Sequence, residues 1–443
     1  MNISDYLTSN RLVYVLIGGI ALIVFVTFII ILSRLGGGTA NRDDVVLEFW
    51  GVFDDQSTFD DIIDTYEQEN PNVTIRYTAL PFADYEGEVV DALAADRGPD
   101  IWMIHHTWLP KHLDKLAQAP ERIAGEEEPF FTFAEFQNTF VDVATSDLTN
   151  NRNIYAMPLY VDTLALYYNR DRFATAGIAL PPETWTAFNE VVPQLVQRDE
   201  NQNIVQAAIP LGTGRNVNRS TDILMMLMLQ NGTQMVNDQG GAATFARSVN
   251  GEPVGENALT YYTDFANPTK RVYTWNDAQH YSVDAFADGT AAMMINYSHQ
   301  IPLIRSINPR LNFAVAPVPQ HNQTDARTYA SYWAPAVSRG SESATEAWRF
   351  VRYLASSRGA IPYLEASQRP AARRDLINEQ QHDPDVGVFA RQALTAQSWF
   401  QPDNGAIETI FADMIDNVIL GKQTIRGALE EAQSMVSVLL GRL

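Results

Sequence analysis

The clearest hydrophobic pattern lies near the start of the chain, in three apolar runs that begin at Val45, Val73 and Ile101. Two amphipathic segments separate these runs. In the first of them, apolar residues between Phe59 and Tyr66 recur three and four positions apart and share one helical face. The order strand, helix, strand, helix, strand predicts a doubly wound α/β lobe with a parallel sheet.

The ends of these predicted strands indicate where a ligand would bind. In a doubly wound sheet the ligand lies in the crevice beyond the carboxyl ends of the strands, so the loops after Trp50, Tyr77 and Met103 should face it. Aromatic residues follow these and later strands. Rings that stack on a ligand, with polar groups that orient it, are typical of a binding cleft. For each single aromatic residue, packing in the core is the competing interpretation.

Further elements follow along the chain. Extended segments are predicted at 312–318 and 329–338, and an amphipathic helix at 421–443. Thr424 can cap that last helix, and Ser343-x-x-Glu346 has the sequence of a capping box at the start of another.

An uncharged apolar segment, residues 12–32, precedes all of these elements. It is long enough to cross a hydrocarbon core of roughly 30 Å as one helix. We therefore predict a transmembrane helix, with a short segment (1–11) before it and a flexible tether (33–44) after it. A cleaved signal peptide is the alternative, because Gly38-Thr39-Ala40 resembles a cleavage site, although the apolar part of a signal peptide is shorter.

Composition excludes several function classes. The 443 residues include 31 Lys and Arg against 53 Asp and Glu, which gives a net charge of -22. Such a charge repels phosphate backbones, so we predict no nucleic-acid partner. The chain has no cysteine, which removes thiol catalysis, disulfides and cysteine-ligated zinc.

The chain also lacks the common motifs of catalysis and cofactor binding. It has no GxxxxGK[ST], GxGxxG, GxSxG or HExxH sequence, and the spacing of His105, His106 and His112 matches no standard metal site. We therefore predict no cofactor, no metal and no catalytic residue. A carboxylate pair that hydrolyses glycans, such as Asp54 with Asp162, stays open as an alternative.

Five segments, taken in order, resemble the extracellular solute-binding proteins of ABC importers, the family that contains maltose-binding protein. The segments are LEFWGVFD; GPDIWMI; YAMPLYVDTLALYYNRD with PPETW; FADGTAAMMINYS with NFAVAPVPQ; and YWAPAVSRGSESATEAWRFVRYLAS with QRPAARRD. The resemblance covers about Val45 to Leu443. It implies an α/β, two-lobed periplasmic-binding-protein-like fold of type II, with ligand bound between the lobes.

The resemblance also implies how the chain divides between the lobes. Lobe 1 would comprise 45–159 and 296–333, and lobe 2 would comprise 160–295 and 334–443. Three hinge crossings would lie at three places along the chain: 158–162, 295–296 and 333–335.

By this resemblance the chain is a monomeric binding protein and not an enzyme. It would capture a carbohydrate or similar polar solute outside the cell and deliver it to ABC transporter permease subunits. Many tethered relatives carry a lipid on a cysteine, which this chain lacks, so the apolar helix would replace that anchor. A surface glycan-acting enzyme, and a sensor or adhesion protein on the same fold, stay open as alternatives.

The candidate ligand-binding residues follow from the strand ends and from the resemblance. We expect the aromatic rings to stack on the ligand, and Asp54, Asp162 and Arg369 to form hydrogen bonds with its hydroxyl groups. The full set is Trp50, Phe53, Asp54, Trp102, His105, Trp108, Tyr160, Asp162, Trp275, Tyr297, Tyr332, Trp333 and Arg369.

Overall fold

The structure is a computed structural model that describes residues 44–441. The predicted transmembrane helix at 12–32 and the segment 1–11 lie outside the described residues, as does nearly all of the predicted tether. Among the helices between residues 44 and 441, none has the length and hydropathy that crossing a membrane requires.

The described residues form short strands and helices in alternation. The strands are β1 (Val45–Val52), β2 (Val73–Leu80), β3 (Ile101–His105), β4 (Thr149–Asn150), β5 (Asn153–Ile154), β6 (Asp162–Thr163), β7 (Ala165–Asn169), β8 (Gln197–Arg198), β9 (Ile204–Gln206), β10 (Met293–Asn296), β11 (Phe313–Ala316), β12 (Thr328–Ser331), β13 (Trp333–Val337) and β14 (Ala396–Gln397).

The helices range from one turn to about four turns. They are α1 (Asp60–Glu69), α2 (Phe82–Ala94), α3 (Leu109–His112), α4 (Phe133–Thr139), α5 (Asp142–Leu148), α6 (Arg170–Thr175), α7 (Trp185–Leu195), α8 (Ser220–Gln230), α9 (Val254–Asp264), α10 (Ser282–Ala287), α11 (Gln300–Ile307), α12 (Ala344–Leu354), α13 (Ser357–Ser367), α14 (Arg374–Gln380), α15 (Gly387–Ala393), α16 (Asn404–Ile419) and α17 (Ile425–Leu440).

The first lobe is built on a four-stranded sheet in the order β13-β3-β1-β2. Strand β1 pairs in parallel with β2 and β3, and the helices α1 and α2 connect them, so the predicted alternation of strands and helices is confirmed. Strand β13 joins the edge antiparallel to β3. Helix α1 buries Ile62, Ile63 and Tyr66 on one face, while Asp60 and Asp61 occupy its first turn, where the helix dipole favours acids.

The second lobe has a separate core around the antiparallel sheet β10-β7-β11. Helix α8 contributes most to this core because its residues from Ile223 to Leu229 are all buried. A helix that is apolar on every side has to lie inside a protein. The methionines of α8 therefore pack in the core, as their pattern indicates. Helices α9, α16 and α17 contact one another around α8.

The chain passes between the two cores in three places. Val161 belongs to the first core and Leu164 to the second. The chain returns between Tyr329 and Ala330, and it passes back through α15 and β14, since Phe389 packs in the second core and Ala390 in the first. Strands β14, β12 and β6 from these passages pair in a small sheet of their own.

The lobe boundaries of the structure differ from the predicted ones. The prediction places 296–333 in lobe 1, but residues from Tyr297 to Tyr329 pack in the core of lobe 2, because β10 and β11 both pair with β7. It places 334–443 in lobe 2, but β13 completes the sheet of lobe 1, and the helices up to α14 pack on that sheet's core. The predicted crossing at 295–296 therefore lies inside lobe 2.

Candidate ligand-binding cleft

A cleft of about 790 Å³ lies between the two lobes. Its volume is within the range of roughly 300–1,000 Å³ that is usual for small-molecule sites. Lobe 1 contributes the ends of β1 and β3 and the loops after β2 and α13. Lobe 2 contributes the loop before α8, the start of α16 and the segment after β10.

An aromatic wall, formed by Phe53, Phe82 and Trp333, covers the lobe 1 side of the cleft. The rings of Phe53 and Phe82 stack with centroids 5.0 Å apart, and Trp333 meets them edge-on at 5.8 and 6.2 Å. Phe53 is 57% exposed and Phe82 is 56% exposed, although both are large apolar side chains. Two stacked rings left open to a cleft present an apolar face that a ligand can cover.

Phe53 also has an unusual backbone conformation. Its φ of 68° lies in the left-handed region, which is costly for a bulky residue that is not glycine. Such strain persists where the surrounding structure over-determines it, and it is frequent at ligand sites. The conformation places the Phe53 ring against Phe82 at the end of β1.

A buried ion pair supports the cleft next to this wall. Arg369 Nη2 donates to Asp54 Oδ1 over 2.8 Å, and the Tyr363 hydroxyl donates to Asp54 Oδ2 over 2.9 Å. Burial raises the pKa of the Tyr363 phenol well above its ordinary value, so it stays a donor. The Arg369 guanidinium lies 4.2 Å from the ring centre of Tyr160. Arg369 lines the cleft, whereas Asp54 lies behind Arg369 and holds its guanidinium group in place.

Asp162 lies at the first passage between the lobes, where its carboxylate is already occupied. It accepts hydrogen bonds from the Ser298 amide and hydroxyl and from the Thr163 amide, over distances of 2.8 to 3.0 Å. The His299 ring is 3.7 Å away. These bonds join β6 to the segment after β10. Asp162 therefore stabilises the first passage between the lobes and also lines the cleft.

The lobe 2 side of the cleft combines two helix starts with polar side chains. Arg219 precedes α8, and Asn404 and Glu408 belong to the first turns of α16. The guanidinium of Arg219 lies 5.6 Å from the ring centre of Tyr297, whose hydroxyl donates to Asp222 over 2.8 Å. Desolvation and the charge of Asp222 raise the pKa of the Glu408 carboxyl.

The structure brings seven of the predicted ligand residues to the cleft. Those that line it are Phe53, His105, Tyr160, Asp162, Tyr297, Trp333 and Arg369. Their contact with a ligand stays a prediction.

The other six predicted residues do not line this cleft. Asp54 supports Arg369, and Tyr332 donates to Asp147 over 2.9 Å near the second passage. Trp102 is fully buried on β3, and Trp275 packs in the core of lobe 2. Trp50 accepts a hydrogen bond from the Tyr85 hydroxyl at its carbonyl.

The sixth, Trp108, is 4% exposed and donates its indole N–H across the lobes to Asn404 Oδ1 over 3.0 Å. For the five aromatic residues of this group, the competing interpretation from the sequence, packing in the core, describes the observed position.

Several cleft residues are absent from the sequence-based set. Phe82 follows the end of β2, a strand end that the sequence did indicate, so this ring could have been included. Arg219, Tyr281, Asn404 and Glu408 carry no such signal. Only the packing of α8, α10 and α16 brings them to the cleft.

The histidines near β3 each have a separate partner. His105 Nδ1 lies 2.8 Å from Thr107 Oγ1, His106 Nδ1 is 3.1 Å from Asp147, and His112 Nε2 is 2.8 Å from Glu86. In the part of the chain that the structure describes, no three or more His, Asp or Glu side chains are grouped so that they could hold a metal ion.

Comparison with known proteins gives relatives of similar length. A protein of Brucella abortus, named as a binding protein, is 23% identical over 393 residues, which are 86% of this chain and 89% of the relative. The multiple sugar-binding protein of Streptococcus mutans is 22% identical over 355 residues, 78% of this chain and 79% of that protein.

Solved structures share the fold. The sugar-binding protein MalE from Xanthomonas citri superposes with a TM-score of 0.74 at 18% identity, over 90% of this chain and 98% of that one. The described residues therefore have the two-lobed fold of periplasmic binding proteins, as predicted.

A family model described as bacterial extracellular solute-binding protein matches residues 61–389, which is well over half of the chain. The family binds solutes outside the cell and is not a family of enzymes. The predicted resemblance and the prediction that the chain is not an enzyme are therefore confirmed. The chain belongs to the bacterial extracellular solute-binding protein family.

Proposed function

We propose that the chain captures a carbohydrate between its lobes and delivers it to an ABC importer while residues 12–32 hold it at the membrane. The observation that carries the proposal is the aromatic wall, which exposes two stacked phenylalanine rings to a cleft with polar groups on its other sides. A sugar ring has apolar C–H faces and a rim of hydroxyl groups, so it matches this combination.

The polar groups around the wall have spare hydrogen-bonding capacity. Arg369 uses Nη2 for Asp54, and within residues 44–441 its Nε and Nη1 donate no hydrogen bond. Such N–H groups can donate to ligand hydroxyls. The names of the Streptococcus mutans and Xanthomonas citri proteins, which describe sugar-binding proteins, agree with this ligand class.

Capture requires the two lobes to move relative to each other. The three passages, at 161–164, at 329–330 and through α15 and β14, are short segments that would act as the hinge. A ligand that contacts Phe53 on one lobe and Asn404 on the other favours the closed state by the difference between its affinities for the two states. The importer would then recognise the closed state.

An anchor would hold the binding protein at the membrane, and the 443 residues include no cysteine that could carry a thiol-linked lipid. A helix at 12–32 would keep the binding protein close to its permease and raise its effective concentration there. If so, the full chain sediments with membranes and resists a high-salt wash, whereas a variant that lacks 12–32 is released. Release of the unchanged chain by salt would contradict this part of the proposal.

The alternative of a glycan-hydrolysing carboxylate pair receives no support from the two acids that the sequence offers. Asp54 is engaged by Arg369 and Tyr363, and Asp162 by Ser298 and Thr163. A general acid or base needs access to the substrate, which Asp54 lacks. A sensor or adhesion role would use the same binding site. Cells that lack the chain should lose uptake of labelled sugar if the chain serves transport, and should keep it if the chain serves only sensing or adhesion.

Titration calorimetry of the purified full chain against a panel of mono- and oligosaccharides tests the binding step. We expect heat of binding from at least one sugar, and its loss on joint replacement of the exposed rings by Phe53→Ala and Phe82→Ala. Leu180→Ala, which changes a 77% exposed side chain outside the cleft, is the matched control. Absence of both heat and thermal stabilisation with every sugar would reject the carbohydrate part.

A further inference from the structure

A small polar chamber of about 40 Å³ adjoins the cleft where the two lobes meet. It shares six lining residues with the cleft, namely His105, Arg219, Thr221, Ser331, Asn404 and Glu408. Gln401, Thr107 and Asp222 line the chamber but not the cleft. Since a water needs roughly 10–15 Å³ of such space, the chamber has room for about three water-sized groups.

Two polar groups of the chamber have no partner within residues 44–441. Arg219 Nε is buried and donates no hydrogen bond. The side chain of Thr221, a residue that is only 2% exposed, lines the chamber beside it. The Gln401 side chain donates to the Tyr329 hydroxyl over 2.7 Å, and its carbonyl oxygen accepts nothing. A buried polar atom almost always has a partner, so the unpartnered Arg219 Nε indicates that a ligand or water belongs in the chamber.

The chemistry of these groups selects a neutral group that both donates and accepts. Arg219 Nε offers a hydrogen, and the Gln401 carbonyl oxygen receives one. An anion would meet Asp222 and Glu408, and a cation would meet Arg219, which disfavours both. A hydroxyl group satisfies the donor and the acceptor together.

We propose that the chamber is a subsite for the exocyclic hydroxymethyl group of a hexose, which enters it from the cleft. This inference rests on the proposed carbohydrate function. A hydroxymethyl group has two non-hydrogen atoms, so it fits the space and carries its hydroxyl to Arg219 and Gln401. Thr221 faces both the cleft and the chamber, at the point where the group would pass.

A pentose lacks this group and would leave the chamber to water. Sites built to bind a substrate hydroxyl discriminate strongly against an analogue without it, though water in the chamber reduces the difference. We expect the full chain to bind a hexose at least about tenfold more tightly than its matched pentose. Suitable pairs for calorimetry are D-glucose with D-xylose, D-galactose with L-arabinose, D-mannose with D-lyxose, and cellobiose with xylobiose.

Filling the chamber tests whether it is the source of the preference. Thr221→Leu places apolar volume there and should reduce the hexose-to-pentose affinity ratio to near one. Thr175→Leu makes the same change at an exposed residue of α6 that lines neither the cleft nor the chamber, so it should leave the ratio as in the unchanged chain. Thr221→Val, of nearly the same shape as threonine, should lower the ratio partly and guards against a folding defect, which thermal unfolding would show.

The outcomes separate the two proposals. If no sugar of the panel binds, the carbohydrate function fails and this inference fails with it. If sugars bind but hexose and pentose affinities are equal, or if the preference survives Thr221→Leu, the function stands and the chamber assignment is overturned.

Discussion

The indole N–H of Trp108 donates a hydrogen bond over 3.0 Å to the side-chain oxygen of Asn404, and the two residues belong to different lobes. Trp108 packs in the core of lobe 1 and Asn404 begins α16 in lobe 2. The bond therefore closes one edge of the cleft through protein contacts alone. Part of the free energy of closing then comes from the chain itself and not from the ligand.

Breaking this bond should weaken ligand binding without touching ligand contacts of lobe 1. A hydrogen bond contributes roughly 0.5–1.5 kcal/mol net, so Asn404→Ala should lower affinity by roughly two- to tenfold. The closed population becomes smaller, which lowers apparent affinity in proportion, and loss of a direct contact between Asn404 and the ligand adds to this effect. Calorimetry measures the affinity, and small-angle scattering of the ligand-free chain should show a larger radius. Asn404→Asp keeps the acceptor oxygen and is the control; equal affinity for all three chains would contradict the prediction.

Removing the negative partner of Arg369 should destabilise the fold. Both side chains of the pair are at least 85% buried, and taking away one partner of a buried pair costs roughly 3–5 kcal/mol. Asp54→Asn should therefore lower the free energy of unfolding by about 3 kcal/mol, measured by urea titration. The double variant Asp54→Asn with Arg369→Met should recover part of this loss, because no unpaired charge remains. A single variant as stable as the unchanged chain would refute the pairing.

The aromatic wall should contribute to affinity but not to stability. Phe82→Ala removes a mostly exposed ring, so the free energy of unfolding should change by no more than about 0.5 kcal/mol. Sugar affinity should fall about fivefold because one stacking contact is lost.

Phe53→Gly removes the other ring and relieves a left-handed backbone that costs a bulky residue roughly 1–2 kcal/mol. Stability should then be equal or higher while affinity falls. Calorimetry with urea unfolding checks both variants, and affinity unchanged in both would rule out the stacking role.

The stability of the chain should fall on mild acidification, in part through His105. Desolvation, together with the charges of His106 and Arg219, lowers the pKa of His105 well below its ordinary value. Below about pH 6.5 the His105 side chain binds a proton in the unfolded chain but stays neutral in the folded chain. The contribution of His105 to the free energy of unfolding is therefore fully present above that pH and decreases as the pH falls. In the His105→Asn variant, the free energy of unfolding should depend less on pH between about pH 7 and 5 than it does in the unchanged chain. Parallel curves for the two chains would disprove the assignment.

The elements of lobe 1 were predictable because their signals are local. Alternating and amphipathic patterns determine which residues face a core, and these patterns hold for β1, α1, β2 and α2, while β3 is a continuous apolar run buried on both faces. The cap on the last helix is equally local: the Thr424 hydroxyl accepts a hydrogen bond from the Gly427 amide, as predicted. The predicted capping box at Ser343 is wrong, because that residue has φ -111° and ψ 32° and its side chain caps nothing.

The sequence by itself determined the family, the α/β class and the ends of strands where a ligand would bind, because period and motif order do not depend on distant partners. Only the tertiary structure decided that β13 belongs to lobe 1 and that β10 and β11 belong to lobe 2. An apolar strand fits either sheet, so its neighbours decide. For the same reason Trp102 is buried while Phe82 is exposed to the cleft, since the sequence shows that a ring is present but not which surface covers it.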